Sequence, residues 1–195
     1  MKKIYFLPLS LFALLLLSNC SANTSPLALI KAEKTQSILY FNPEIFPNIE
    51  EIKEPTYAAF YSAVSEKMHL YKNFKMLRVD SEMPFDDQDS TLISEFCINN
   101  NAQFAVIPKV KYFKVGIGKY VFSNQVIVSM KLFDAAGNFL AESDYDTFKK
   151  NSRILGSAEN SIKIGTSGAM KNIGKTLQTL KKKLTNLLVI NYKFC

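Results

Sequence analysis

Four stretches of this chain carry side chains whose types could do chemistry, and their spacing decides which. His69 is the single histidine. A Ser-His-Asp relay or a histidine–metal site would have to use it. It stands beside an apolar helical stripe, with no nucleophile elbow in the chain and no second ligand at metal spacing. It reads as a surface or boundary histidine. The acidic run Asp80, Glu82, Asp86, Asp87 and Asp89 has carboxylates that a hard cation wants, but lacks the glycine of an EF-hand loop. It leads into a helix start, where the helix dipole favours carboxylates, and reads as loop and cap. Ala169–Thr176 (AMKNIGKT) comes near a phosphate loop, G-x-x-x-x-G-K-[ST], whose glycines let backbone N–H groups wrap phosphate. Gly174-Lys175-Thr176 fits, but Ala169 occupies the first glycine's place and Gly168 stands one position early. Ile173 and Leu177 also carry a helical stripe through the motif, so its glycines read as close-packing or fraying positions. An envelope enzyme could work through carboxylates such as Asp86 or Glu95, yet nothing in the sequence pairs them. No catalytic, cofactor or metal site is expected, and the chain is expected not to be an enzyme. The fourth stretch surrounds Cys20.

Lys2 and Lys3 precede a nearly unbroken apolar run, Ile4–Leu17. About 14 residues rising ~1.5 Å each reach roughly 21 Å, short of the ~30 Å hydrocarbon core. This is the length of a signal peptide rather than of a permanent span, and no later apolar run approaches ~18 residues. Leu17-Ser18-Asn19-Cys20 resembles the bacterial lipobox, in which the cysteine thiol is diacylated and the cysteine becomes the new N-terminus. The resemblance implies lipid on Cys20 and, with Ser21 rather than Asp following, sorting to the outer membrane of a Gram-negative envelope. The alternative is an ordinary signal peptide cut near Ala22, with Cys20 removed. The expected organisation is a signal peptide over 1–19, a lipidated tether over 20–36 and a single α+β domain over 37–195. The tether is rich in small and polar residues and reaches at most ~55 Å when stretched, which keeps the domain near its membrane.

The chain of 195 residues is long enough for one domain with a real core. Apolar residues at 48% and aromatics at 12% indicate a folded chain rather than a disordered one. The net charge of +7 is diffuse apart from Lys181-Lys182-Lys183. It suits anionic lipid, peptidoglycan or an acidic partner; without a basic stripe, nucleic acid is not expected. Cys97 and Cys195 would be free to pair in an oxidising compartment. Cys97 lies on an apolar helix face, where a buried free thiol is the more ordinary state.

Ser37–Phe41 reads as the first strand, followed by a Pro-punctuated loop over Asn42–Glu54. Pro55 and Thr56 then open a helix whose stripe is Tyr57, Phe60, Tyr61, Val64, Met68 and Tyr71. Phe74–Val79 alternates as a strand. Asp89 or Ser90 caps a helix with Leu92, Ile93, Phe96 and Cys97 on its apolar face. Phe104–Phe113 is a strand in which Pro108 demands an edge or a bulge. The hairpin Gln125–Tyr145 turns through Ala135–Asn138. A four-residue loop pairs Asp134 with Phe139, Phe133 with Leu140, Lys131 with Glu142 and Leu132 with Ala141. A long helix over Ser161–Leu188 has the stripe Met170, Ile173, Leu177, Leu180, Leu184 and Leu187. Val189–Cys195 is apolar enough for a last strand or a packed end. The order β-α-β-α-β-β-β-α describes an α+β fold, a mixed sheet with helices packed on one face.

Two segments resemble a known group. NAQFAVIPKV, which begins at Asn101, is similar to the strand entered by Gly-Ala-Asp-Tyr in the curli-secretion lipoproteins, the TolB amino-terminal domain and the penicillin-binding-protein activator lipoproteins. VSMKLFDAAGNFLAES is similar to their next hairpin, of the form Val-x-x-x-Leu-x-Asp-x-x-Thr-Gly-x-x-Leu. Asn101-Ala102-Gln103 stands in place of Gly-Ala-Asp, and Ala136 in place of Thr. The resemblance implies a non-enzymatic domain that docks other envelope proteins. The expectation is therefore a membrane-anchored envelope lipoprotein, a partner-binding or assembly-accessory module for envelope proteins or peptidoglycan-associated machinery. The alternative is an oligomeric component of an outer-membrane secretion or transport machine. Partner contacts are expected at Val115, Ile117, Lys119 and Tyr120, on a protruding turn, and at Lys109 and Lys111, with Lys114, as a basic patch.

Overall fold

The structure, a computed structural model, describes residues 35–71, 73–117, 120–151 and 156–192, with side chains at 35–71, 73–114, 124–150 and 156–179. Expectations for the signal peptide, Cys20 and the tether up to residue 34 lie outside them. From Thr35 onward the chain forms one compact unit. Its elements are β1 (Gln36–Asn42), β2 (Glu44–Phe46), α1 (Glu50–Met68), β3 (Phe74–Glu82), α2 (Ser90–Asn99), β4 (Phe104–Ile117), β5 (Tyr120–Asp134), β6 (Phe139–Asp146), α3 (Thr147–Asn151) and α4 (Ala158–Tyr192). The expected α+β class and element order hold, with the three-residue β2 and the five-residue α3 added.

The six-stranded sheet is ordered β3-β1-β4-β5-β6, with β2 also pairing β4. β1 is parallel to β3 and β4, whereas β5 runs antiparallel to both its neighbours. Along β1, Ile38 and Tyr40 face one core while Leu39 and Phe41 face another. A strand apolar on both sides needs cover on both. α1 and α4 supply one cover, through Phe60, Val64, Met170 and Ile173. α2 supplies the other, through Ile93 and Cys97, each fully buried. The helices thus do not all share one face. Right-handed crossovers explain this: β1 to β3 steps one way across the sheet and β3 to β4 steps back past β1, so the two connecting helices must lie on opposite faces.

Several local expectations are corrected. α1 begins at Glu50, with Pro55 inside it. Glu50 and Glu51 suit its positive end, and the proline's missing N–H falls on the exposed side near the helix start, where water can replace it. Pro108 occupies neither an edge nor a bulge: it pairs Met130 in regular register within the central strand. β1 pairs β4 only through Val106 and β2 takes over from Lys109, so Pro108 sits in the gap where no neighbour needs its N–H. Leu92 is 40% exposed and does not join the α2 face. In the β5–β6 hairpin, Val128↔Tyr145, Lys131↔Glu142 and Leu132↔Ala141 pair as expected, but a register shift follows and Phe133 faces Phe139 rather than Leu140. Asp134 draws the loop tight by accepting from the Ala136 and Asn138 backbone N–H groups, both at 2.9 Å. The segment from Val189 to Tyr192 continues α4 rather than forming a strand. Cys97 is a free thiol, and burial pushes it up to about 11.

The two segments that carry the family resemblance have clear local reasons. Asn101, where glycine would stand, has φ +51 just after α2; asparagine tolerates this left-handed conformation best after glycine. Gln103, in place of Asp, accepts the Ser37 backbone N–H at 2.7 Å and ties β4 to the start of β1. Gly137 has φ +80, and a Cβ there would run into the Ser90 backbone at the start of α2.

Candidate docking surface

In open sheets with parallel strands, ligands settle at the carboxyl ends of strands where the order reverses, here between β1 and β4. This crevice is filled. β2 occupies the place beside β4, and Glu44 on β2 accepts from the Phe85 backbone N–H at 2.7 Å. Lys109 bridges Glu44 at 3.1 Å and Asp86 at 2.7 Å. The Lys109 and Lys131 ammonium groups both lie over the buried Phe85 ring, at 5.5 and 4.4 Å, and Lys131 also donates to the Phe85 carbonyl at 2.8 Å. This latch pins the β3–α2 loop to the sheet. The hydrogen bond from Lys109 holds the Asp86 carboxyl below its usual value, and the reciprocal bond raises Lys109.

The latch also redistributes the expected basic patch. Lys109 directs its charge into the latch, whereas Lys111 is exposed and lies over the Phe46 ring at 5.7 Å. Lys114 is exposed further along β4. Asp86 belongs to the latch and Glu95 is exposed on α2; the structure does not bring them together as a catalytic pair. His69 is exposed at the end of α1. Asp89 caps α2, its side chain accepting from Thr91 at 2.8 Å and Leu92 at 3.2 Å. Gly174-Lys175-Thr176 lies inside α4 and forms no loop. Among the described residues no group of three His, Cys, Asp or Glu side chains could hold a metal ion.

A second polar cluster closes the same end of the sheet on the α1 side. Tyr61 donates to the Tyr40 carbonyl at 3.1 Å and to the Asn42 side chain at 3.0 Å, with the Arg78 guanidinium over its ring at 4.4 Å. Tyr57 donates to Glu82. Burial raises both hydroxyls well above their ordinary range, and Glu82 adds to this at Tyr57.

Open surface appears instead where β4 and β5 outrun their neighbours. β4 pairs β5 as far as Ile117↔Tyr120, whereas β2 stops opposite Lys111 and β6 opposite Ile127. From Tyr112 to Ile117 and from Tyr120 to Val126 the strands therefore form a ribbon whose strand partners are each other. Six residues at ~3.4 Å give an arm of roughly 20 Å. That free length is shorter than the ~9–11 residues of a membrane-crossing strand. The expected contacts Val115, Ile117 and Tyr120 lie on this ribbon by their backbone; their side chains, and Lys119 entirely, lie outside the described residues. A bulge at Val115/Gly116 twists the tip.

The base of the ribbon is braced on one side. Phe113 meets Phe148 of α3 edge-on at 6.4 Å, Ser161 of α4 donates to the Asn124 carbonyl at 2.7 Å, and buried Thr147 donates to Gln125 at 2.6 Å. Beside it a groove of about 510 Å³ runs between the starts of α1 and α4, walled by Ile52, Pro55, Tyr112 and Ile162. A second hollow of about 460 Å³ continues it past Pro47, Ile49 and Phe113. At its mouth Phe46 and Ile49 are 55% and 43% exposed. Tyr112 carries the floor's polar group: its hydroxyl and that of Thr56 share a hydrogen bond at 2.5 Å, and burial raises the tyrosine above its usual value. The sequence pattern ends one strand at Phe113 and begins the next at Gln125, short of the observed Ile117 and Tyr120, and it does not reveal the groove. Its walls come from two helix starts about a hundred residues apart in sequence, brought side by side on one face of the sheet.

No family model matches the chain, and no curated protein matches its sequence. Solved structures of similar shape exist. The PelC dodecamer from Paraburkholderia phytofirmans is 12% identical, with a TM-score of 0.44 over 71% of this chain and 86% of that one. The hypothetical protein CT253 from Chlamydia trachomatis is 10% identical, with a TM-score of 0.43 over 73% and 95%. The lipoprotein GNA1162 from Neisseria meningitidis is 12% identical, with a TM-score of 0.32 over 77% and 99%. Likeness at this level establishes neither family nor function.

Proposed function

We propose that this chain is a non-enzymatic docking module of a bacterial envelope, tethered to the outer membrane through lipid on Cys20. One observation carries the reading: the ribbon and its apolar groove stand open at the end of the sheet opposite the start of β1. A two-stranded ribbon is marginal alone in water, and an apolar groove beside it gives a partner something to bury. The occupant is an envelope protein that adds to the ribbon edge or lays an apolar segment into the groove.

A photo-crosslinking residue at Phe46 or Lys114 in living cells tests this. A discrete adduct is expected that disappears when Ile49→Glu closes the groove mouth to apolar partners and persists with an exposed control change, Glu95→Gln. Adducts insensitive to Ile49→Glu refute the docking surface. Adducts between two copies favour an oligomeric assembly component instead.

A further inference from the structure

Leu177 is the last residue of α4 in the core among the described residues. α4 is 35 residues long. It starts beside the ribbon, where Ser161 meets Asn124, passes Val128 at Gly165 and Ser143 at Ala169, and reaches the start of the sheet at Leu177. Leu177 there shares a small hollow with Ile38, Met68 and Phe74. The helix thus runs down the sheet toward the end where β1 begins, and fifteen residues, 178–192, still follow. At ~1.5 Å per residue this extension is roughly 22 Å long.

The charge distribution along the chain singles out the same segment. Residues 160–195 contain seven lysines and no Asp, Glu or Arg, so they account for the whole net charge of +7. The other 159 residues balance. Lys163 is paired with Glu159, one turn back at the acidic start of the helix, whereas Lys171 and Lys175 stand exposed further along it. Beyond them Lys181, Lys182 and Lys183 interrupt a series of Leu180, Leu184, Leu187 and Leu188 at helical spacing. Among the described residues no helix is long and apolar enough to cross a membrane.

We propose that residues 178–192 lie along an anionic membrane surface as an interfacial helix. A run of lysines without carboxylates, set among leucines, is the composition such helices have. The segment also emerges where the chain arrives from Cys20, and the tether of residues 20–35 keeps that end within ~55 Å of the bilayer. The placement rests on the anchored reading above. It adds a second attachment, which limits the domain's tilt and holds α4 along the surface.

Cosedimentation of residues 21–195, which retain the whole compact unit, with vesicles provides the test. Binding is expected to vesicles of phosphatidylglycerol in phosphatidylcholine, falling as salt rises, with little binding to phosphatidylcholine alone. Changing Lys181, Lys182 and Lys183 to Gln lowers the partition coefficient about a hundredfold, since each surface lysine contributes roughly fivefold. This variant leaves the leucine series untouched, so a preserved thermal melt separates lost binding from lost folding. Salt-independent or absent binding overturns the proposal, as does a concentration-dependent dimer that Leu184→Asp abolishes, which would assign the helix to a second copy. The mass of the mature N-terminus tests the anchor separately. An unacylated chain that still binds vesicles refutes the anchor alone, and an acylated chain whose 21–195 form does not bind refutes the helix alone.

Discussion

Gly168→Ala is the sharpest test of how α4 is seated. A methyl at this position would lie inside the Tyr145 ring, overlapping Cδ2, Cε2 and Cγ. The helix cannot slide away freely. Ser143 donates to the Ala169 carbonyl at 3.0 Å, and the Asn172 amide donates to Ser143 at 3.2 Å. Nor can the ring retreat without disturbing Lys150, which lies over it at 5.4 Å. Alanine gains about 1 kcal/mol of helix propensity over glycine. Overpacking costs about 1–3 kcal/mol, and overlap with a ring rather than a flexible tip puts this site in the upper part of that range. The net expectation is a loss of about 1–2 kcal/mol. For a unit of this size each kcal/mol moves Tm by about 2–4 °C, so the drop should be about 2–8 °C. Gly174→Ala is the control, because its methyl meets the Tyr71 side chain tip-first, 2.5 Å from the hydroxyl, and that partly exposed side chain can swing aside. That variant should be neutral or more stable by up to about 1 kcal/mol. Thermal melts and urea titrations of both measure the contrast. If Gly168→Ala is as stable as the parent, or the two variants shift alike, the close approach of α4 to β6 is not set by this glycine.

Other outcomes follow from single contacts. Asp89→Ala removes both side-chain bonds at the start of α2 and should cost about 1 kcal/mol in urea unfolding. Asn101→Ala should cost about 1 kcal/mol because alanine resists φ +51, whereas Asn101→Gly should be nearly neutral; the same titration compares them. Cys97 should resist a disulfide-exchange reagent at about pH 8 and react only on unfolding, because burial keeps its thiol protonated. The latch gives a pH dependence. Asp86 is lowered in the folded state, so its contribution is present above the ordinary carboxylate value and lost as pH falls through the lower folded one. Lys109 is raised, so its contribution is present below its ordinary value and lost as pH rises through the higher one. The urea midpoint of Lys109→Met should accordingly lie below the parent's at neutral pH and converge toward it at about pH 2.

Short-range pattern alone determined much of this molecule. Period-2 alternation and the Lys131↔Glu142 coincidence are enough to place the β5–β6 register as far as Leu132↔Ala141, because strand side chains alternate strictly and a slip would expose the core face. Of the stripe Tyr57, Phe60, Tyr61, Val64, Met68 and Tyr71, the first five are buried on α1, whereas Tyr71 lies past its end and is half-buried. Where local signals competed with tertiary ones, tertiary ones prevailed. Pro108 is an edge residue by its chemistry, yet it sits mid-sheet because β1 and β2 divide their pairing on either side of it. Pro55 should open a helix, yet α1 starts five residues earlier. The layering also required the whole topology: only the back-step from β3 past β1 to β4 sends α2 to the far face. The surface lessons are of the same kind. Lys109 looks like a free surface charge in one dimension and proves to be shared by Glu44 and Asp86, which lie 65 and 23 residues away in sequence. The groove beside Tyr112 exists only because two helix starts distant in sequence pack side by side on one face of the sheet. A sequence states which residues are apolar, charged or turn-forming; which of them become neighbours depends on chain crossings that no local window contains.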